Sequence, residues 1–228
     1  MNKTLNKYTC ILAIVAVVLL SCTLVFAQTN KYRIVIDPAH GGDDSGVIGV
    51  DKIYEKDLAL SIALALQKEM SKEKNFDMIL TRDSDKTVSL GDRRKKISDV
   101  KPDLVLSLHV NAGFGKTSSG YELYYPGFKS IDSSKKKDQQ PPASQDNKYL
   151  NDTVKLARLV QKNLDSLFPR KGRGLREADV PLGEGLTAPV LVVELGFATN
   201  PDDKKKLSSE KVQAEIAKAL AKSLKTFF

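Results

Sequence analysis

The sequence contains little cysteine and histidine and no tryptophan. Among 228 residues there are two Cys, two His and no Trp. Cys10 and Cys22 both lie in the first 27 residues, so a chain that loses this segment has no thiol. That absence excludes disulfides, a cysteine nucleophile and thiolate metal ligands in such a chain.

Motifs of several common enzyme classes are also missing. The chain has no Gly-x-Ser-x-Gly nucleophile elbow, although Ser107 lies near His109. Gly41-Gly42 follows a His, where a phosphate loop would need more glycines and a Lys, and there is no dinucleotide-binding glycine fingerprint. These absences argue against a serine hydrolase and against a nucleotide-binding enzyme.

The first 27 residues have the pattern of a signal peptide. An apolar run extends from Ile11 to Leu20, and Val25-Phe26-Ala27 fits the small-x-small rule of signal-peptidase cleavage. We therefore expect residues 1–27 to be removed, residues 28–228 to form the mature domain, and the protein to be exported to the periplasm or cell envelope. The alternatives are a membrane anchor formed by the same run and a lipid anchor at Cys22.

The chain is basic. Its formal net charge of +8 falls to +6 when Lys3 and Lys7 leave with the signal peptide. In an exported protein, a basic surface suits anionic envelope polymers better than nucleic acid, so we expect no nucleic-acid partner. About 200 residues is the length of one domain, and we expect a monomer without a stable membrane span after cleavage.

Apolar runs alternate with amphipathic segments along the rest of the chain. Helices are predicted from Glu55, after a possible cap at Ser89, around Leu156 to Leu167, and from Val212 to Leu224. This alternation predicts a single-domain α/β fold with an open, mostly parallel twisted sheet and helices on both faces. Five short runs predict the strands: Tyr32–Asp37, Met78–Arg82, Asp103–His109, Tyr121–Tyr125 and Pro189–Glu194.

One segment has no apolar pattern. Residues 129–148 are rich in Lys, Asp, Ser, Gln and Pro, and Ile131 is their one large aliphatic residue. Such a segment cannot bury enough apolar area to fold alone, and Pro141-Pro142 disfavours a stable helix. We expect a polar, flexible insertion, which is either a solvated loop or a lid beside the site.

Three polar side chains mark the ends of predicted strands. The two histidines, His40 and His109, each follow or end an apolar strand, and Glu194 ends a third. Ligands of open α/β sheets bind at the carboxyl ends of the strands, so these side chains should converge. A lone histidine there can also be a hydrogen-bonded structural group, but Glu194 has apolar flanks, and a buried carboxylate needs a cation or a raised pKa.

Two histidines with nearby carboxylates suit a zinc ion that keeps an open coordination position. The spacing does not identify the third ligand, because several carboxylates lie close to His40 in sequence. Asp37 is a candidate partner for the second nitrogen of one histidine ring. The possible third ligands are Asp43, Asp44, Asp51, Glu55 and Asp57.

These residues and their surrounding motifs resemble a known family, the zinc-dependent N-acetylmuramoyl-L-alanine amidases that act in cell separation and spore-wall remodelling. The resemblance extends from Ile34 to about Asp203. Its motifs, in order, are Ile36-Asp37-Pro38-Ala39-His40-Gly41-Gly42, Tyr54-Glu55-Lys56-Asp57, Leu80-Thr81-Arg82-Asp83, Ser107-Leu108-His109-Val110-Asn111-Ala112, and Val193-Glu194-Leu195-Gly196-Phe197-Ala198-Thr199-Asn200.

The resemblance implies a site, a cofactor and partners. It places one zinc ion on His40, Glu55 and His109, and makes Glu194 the catalytic carboxylate. It implies hydrolysis of the amide between muramic acid and L-alanine in peptidoglycan, with an activator protein as a possible partner. The competing hypotheses are a zinc peptidase that cuts within the stem peptide and a non-catalytic, wall-binding homologue.

Overall fold

Short buried strands form a six-stranded sheet at the centre of the protein. The computed structural model describes residues 31–127, 143–169 and 171–228, with the backbone alone for residues 143–147. The predicted signal peptide and residues 129–142 of the polar segment lie outside the described residues. The strands are β1 (Tyr32–Pro38), β2 (Phe76–Leu80), β3 (Leu104–Asn111), β4 (Tyr121–Pro126), β5 (Gly172–Ala178) and β6 (Val190–Phe197).

The sheet has the order β2-β1-β3-β6-β4-β5. Four of its five strand pairings are parallel, and β4 runs antiparallel to β6. The predicted mostly parallel α/β sheet is therefore confirmed, with a reversal of direction between β6 and β4. Because β1, β3 and β6 are parallel neighbours, their carboxyl ends meet at one edge of the sheet.

Strand β5 was not predicted. Its sequence contains two glycines and three charged residues, and most of its positions are exposed or only partly buried. An edge strand of this kind has no continuous apolar run and no regular alternation, because it packs on only one neighbour. The pairing with β4 decides its conformation.

Helices cover both faces of the sheet, as predicted. The helices are α1 (Glu55–Met70), α2 (Leu90–Val100), α3 (Ala143–Leu164), α4 (Pro201–Leu207) and α5 (Glu210–Phe227). On one face the apolar sides of α1, α3 and α5 pack on the strands, and on the other α2 packs with Val180 and Leu182. The central strands are therefore buried on both sides, which accounts for their continuous apolar sequences.

The polar segment differs from its prediction at its carboxyl end. Residues 143–148 form the first turns of α3, directly after Pro141-Pro142. Proline is tolerated before and at the first turn of a helix, where its missing N–H needs no partner. Later residues of the same helix, Leu156 and Val160, are buried in the core and anchor it.

Helix α2 begins at the predicted cap. The Ser89 side chain accepts a hydrogen bond from the Asp92 backbone N–H at 3.1 Å, and the Ser89 hydroxyl donates to the Asp92 carboxylate at 2.7 Å. This reciprocal pair satisfies a backbone donor that the helix itself leaves free. The cap therefore fixes the start of the helix that carries Arg93.

We expect Ser89→Ala to lower the free energy of unfolding by about 1 kcal/mol, because the substitution removes the cap. Urea titration followed by circular dichroism measures the change. Ser208→Ala is the control, since this exposed serine lies at the carboxyl end of α4 rather than at a helix start. Equal effects of the two substitutions would contradict the capping role.

Candidate metal centre

His40 follows β1 in a glycine-containing loop and has an unusual backbone conformation. Its φ of 58° lies in the left-handed region, which residues other than glycine rarely adopt. Its Nδ1 lies 2.7 Å from a carboxylate oxygen of Asp44. The other ring nitrogen, Nε2, lies 3.1 Å from Oε2 of Glu55. Asp44 thus fixes the ring so that Nε2 faces the carboxylate.

Glu55 is the first residue of α1, where the helix dipole favours a negative charge. The side chain is buried, with 3% of the residue exposed. Its Oε2 accepts a hydrogen bond from the Val47 N–H at 2.9 Å, and its Oε1 accepts one from the Val110 N–H at 3.1 Å. Two main-chain donors, one from the loop after β1 and one from β3, therefore hold the carboxylate in place.

His109 lies in β3 and completes the group. Its Nδ1 is 3.0 Å from Oε1 of Glu55. The rings of His40 and His109 are nearly perpendicular, at 84°, with centroids 5.6 Å apart. One potential ligand atom from each of His40, Glu55 and His109 lies within 4.8 Å of the other two. Two imidazole nitrogens and one carboxylate oxygen thus converge on a space that can hold a metal ion.

The charges within this group support one another. Burial alone would raise the pKa of Glu55, but hydrogen bonds from His109 and His40 outweigh it and hold the pKa far below its usual range. The hydrogen bond to Glu55 raises the pKa of His40 to about 9. Burial would lower the pKa of His109, but the hydrogen bond to Glu55 and the nearby carboxylates raise it. A metal ion would replace protons on these rings.

Glu194 lies beside the group formed by His40, Glu55 and His109, and its pKa is shifted in the opposite direction from that of Glu55. It is paired with His109 in the register of β3 and β6, so the two side chains share a face of the sheet. Burial, together with the charges of Glu55 and Glu122, raises the pKa of Glu194 to about 7. Its Oε2 is shielded from solvent and has no hydrogen-bond partner among the described residues. Such a group can both accept and donate a proton near neutral pH.

A cleft of about 530 Å³ opens over these residues. The loop after β5 forms one wall and the start of α2 another. This volume is in the range of small-molecule sites. Both histidines and Glu194 face the cleft, and its lining also includes Asp44, Asn111 and Tyr124.

The structure separates the carboxylates that the spacing left open. Asp43 pairs with the Thr87 hydroxyl, Asp51 pairs with Lys204, and Asp57 is exposed on α1. Glu55 contacts both histidines, and Asp44 contacts His40 through the other ring nitrogen. The sequence spacing could not identify Glu55, because the path of the loop of residues 41–54 decides which carboxylate lies next to both histidines.

The suggestion that Asp37 orients a histidine ring is wrong. Asp37 instead accepts hydrogen bonds from Thr81 at 2.6 Å, Arg93 at 2.7 Å and Ser107 at 3.0 Å. Asp44 provides the carboxylate for His40. Asp37 does not reach a histidine ring because the buried Arg93 of α2 and the hydroxyl groups of Thr81 and Ser107 occupy both of its oxygens.

Sequence reasoning missed Glu122. This buried residue lies directly opposite Glu194 in the antiparallel pair β4 and β6. Its carboxylate accepts hydrogen bonds from Asn111 at 2.8 Å, Tyr124 at 2.6 Å and Arg173 at 2.5 Å. The one available signal was an acidic residue within an otherwise aromatic and aliphatic strand. The antiparallel register that brings the two carboxylates together is not visible in the sequence.

Comparison with known proteins identifies relatives along nearly the whole chain. A family model described as N-acetylmuramoyl-L-alanine amidase matches residues 34–226. The chain is 28% identical to YqiI of Bacillus subtilis, a protein described as uncharacterized, over 93% of each chain. It is 31% identical to the amidase CwlM of Bacillus licheniformis, covering 86% of this chain and 68% of CwlM. It spans about half, 52%, of the amidase AmiC of Escherichia coli at 27% identity over 86% of this chain.

Solved structures show the same fold. An N-acetylmuramoyl-L-alanine amidase from Clostridium difficile 630 aligns with a TM-score of 0.72 at 30% identity, over 87% of this chain and 97% of that one. The CwlD amidase from Clostridioides difficile, solved in complex with the GerS lipoprotein, aligns with a TM-score of 0.72 at 24% identity. That alignment covers 86% of this chain and 98% of CwlD.

We expect Glu194→Gln to stabilise the metal-free protein in a pH-dependent way. A folded-state pKa of about 7, raised from 4.5, means that ionisation of Glu194 disfavours the folded state. The substitution should therefore have no pH-linked effect below pH 4.5, and its gain should grow between pH 4.5 and 7 and level off at up to about 3 kcal/mol. Urea unfolding at several pH values measures it. A gain that is the same at all pH values would contradict the raised pKa.

Proposed function

The chain belongs to the N-acetylmuramoyl-L-alanine amidase family, and we propose that it hydrolyses the muramoyl–L-alanine amide of peptidoglycan with one zinc ion held by His40, Glu55 and His109. Glu194 is the catalytic carboxylate. The observation that supports this assignment most strongly is the convergence of three ligand atoms within 4.8 Å, next to a strand position occupied by Glu194. The family assignment disfavours the alternative of a peptidase that cuts within the stem peptide.

The donor set fits zinc. Two imidazole nitrogens and one carboxylate oxygen are the ligands of many catalytic zinc sites, which keep a further position for water or substrate. Asp44 beside the Nδ1 of His40 is the carboxylate partner that commonly orients a histidine ligand. The low pKa of Glu55 means that this ligand is already ionised at neutral pH. The carboxylate therefore has no proton to lose when a metal ion binds.

When bound, zinc lowers the pKa of a water ligand towards about 7 and polarises a nearby carbonyl group. Glu194 supplies the proton transfers. Its carboxylate takes a proton from the attacking water as the new C–O bond forms. It then returns that proton to the amide nitrogen as the C–N bond breaks, which releases a stem peptide with a free N-terminal alanine. Burial keeps the pKa of Glu194 near 7, where both transfers are possible.

The protein acts outside the cytoplasm in this proposal. Residues 1–27 are assigned to a cleaved signal peptide that directs the enzyme to the periplasm or cell envelope. Within the part of the chain that the structure describes, no helix is long and apolar enough to cross a membrane. An activator protein remains a possible partner, because the structural relative CwlD was solved in complex with a lipoprotein.

We expect Glu55→Gln to weaken zinc binding at least about 10-fold. The neutral amide has no negative charge to offer the metal ion, and its NH₂ group cannot accept a hydrogen bond from a histidine ring as the carboxylate does. Competition with a chelator measures the dissociation constant. Asp51→Asn is the matched control. Asp51 is an exposed carboxylate shortly before α1, and it pairs with Lys204 instead of with a histidine. Unchanged zinc affinity in Glu55→Gln would remove Glu55 from the ligand set.

The second test separates binding from catalysis. We expect Glu194→Ala to retain one zinc ion per chain while muropeptide release falls by about 10²- to 10⁴-fold, the range for loss of a general base. Mass spectrometry of digested peptidoglycan measures intact stem peptides with an N-terminal alanine, and chelation of the wild-type protein provides the negative control. Full activity of this variant would refute the role of Glu194, and a wild-type protein without activity would indicate a non-catalytic homologue.

A further inference from the structure

We propose that Arg82 and Arg93 are positioning residues that fix the backbone around His40 and join it to the segment carrying Glu55 before any metal binds. The inference rests on the proposed metal site and extends it to two side chains that do not themselves belong to the ligand set. It also gives a role to the Thr81-Arg82-Asp83 motif, which the site chemistry leaves unused.

The backbone before the loop needs support. His40 has a φ of 58°, and the next residue, Gly41, has a φ of 132°. A left-handed residue other than glycine is strained and persists only where its surroundings hold it. The main-chain carbonyls of Pro38, Ala39 and His40 each accept a hydrogen bond from a guanidinium group.

Arg82 links the two ligand-bearing segments. Its Nε donates to the Pro38 carbonyl at 3.0 Å, and its Nη2 donates at 2.8 Å to the carbonyls of both Ala39 and Lys56. Ala39 precedes His40, and Lys56 follows Glu55. One nitrogen atom therefore bridges the neighbours of two proposed metal ligands, one in the loop after β1 and the other in α1.

Arg93 holds His40 directly. Its Nη2 donates to the His40 carbonyl, and its Nη1 donates to the Pro38 carbonyl at 2.8 Å and to Asp37 at 2.7 Å. Asp37 is itself buried and also accepts from Thr81 and Ser107. Asp37 thus fixes the guanidinium group of Arg93 through Nη1, and Nη2 of the same group holds the main chain at His40.

Arg82 places a charged group in the interior of the protein. Arg82 is fully buried, and every hydrogen bond it makes within the described residues goes to a main-chain carbonyl. Burial and the nearby Arg93 lower the pKa of Arg82, so the folded protein keeps this charge at a cost. A planar fork with several fixed donors can join carbonyls from separate segments, which one ammonium group cannot do.

The fit around this fork is close. A Cβ atom added at Gly41 would lie 2.9 Å from Cδ and from Nε of Arg82 and 2.5 Å from the Lys86 carbonyl. The loop therefore passes directly over the guanidinium group, at a distance that allows only a glycine. Movement of Arg82 would consequently move the residue that follows His40.

Zinc affinity of Arg82→Lys and Arg93→Lys tests the proposal. We expect the zinc dissociation constant to rise by about 10- to 100-fold, the usual effect of removing a group that orients a ligand. The visible spectrum of the cobalt-substituted proteins should change as well. Arg33→Lys is the matched control, because Arg33 also donates to a main-chain carbonyl, that of Val100 at 2.6 Å, far from the ligand set in the sheet.

The outcomes are distinct. Variants that are less stable than the wild type but bind zinc with unchanged affinity and an unchanged cobalt spectrum would overturn the positioning role. A wild-type protein that binds no zinc would instead refute the proposed metal site.

Hydrogen exchange of the metal-free wild-type protein decides the matter if the lysine variants do not fold. Ala39 and Gly41 are buried, and their N–H groups donate to the carbonyls of Leu108 and Asp44 at 3.1 and 2.8 Å. A preorganised loop predicts slow exchange at both amides, with little change on adding zinc. Fast exchange that becomes slow only with zinc would show that the metal, and not the arginines, orders the loop.

Discussion

The rest of the site depends on the carboxylate of Glu55. Its two oxygens meet two main-chain N–H groups and one nitrogen of each histidine, so one side chain determines where both rings point. A buried carboxylate without such partners would be strongly destabilising. The position at the start of α1 supplies the helix dipole as well. The same four contacts therefore stabilise the charge of Glu55 and set the geometry of the two histidine rings around it.

The second carboxylate of the cleft shows the opposite arrangement. Glu194 is close to Glu55 and Glu122, its Oε2 has no donor within the described residues, and its pKa is raised to about 7. Glu55 and Glu194 belong to the same small region, yet hydrogen bonds from the two histidines lower the pKa of Glu55, whereas burial and the neighbouring carboxylates raise that of Glu194. Such a separation distinguishes a ligand, which must stay ionised, from a group that exchanges protons.

The sheet and the buried arginines connect these two functions. Parallel pairing of β3 and β6 places His109 next to Glu194, and the reversed strand β4 brings Glu122 to the other side of Glu194. Arg82 and Arg93 join the end of β1 to the start of α1 and to α2. Two of the proposed ligands, Glu55 and His109, therefore lie on packed secondary-structure elements, and the buried arginines hold the loop of the third, His40.

The sequence by itself determined the α/β class, most of the strands and helices, and the position of His40, His109 and Glu194 near the carboxyl ends of strands. Continuous apolar strands, amphipathic helices and the scarcity of histidine are local properties, and local properties are readable from one chain. The resemblance to the amidase family implied Glu55 as the third metal ligand, and this assignment stays a prediction. The choice of Glu55 over its neighbouring carboxylates on physical grounds, the exposed strand β5, the pairing of Glu122 with Glu194, and the partners of Asp37 were decided only by the tertiary structure. Each of these depends on which segments meet across the sheet or on how a loop returns, and no periodicity along the chain records such contacts.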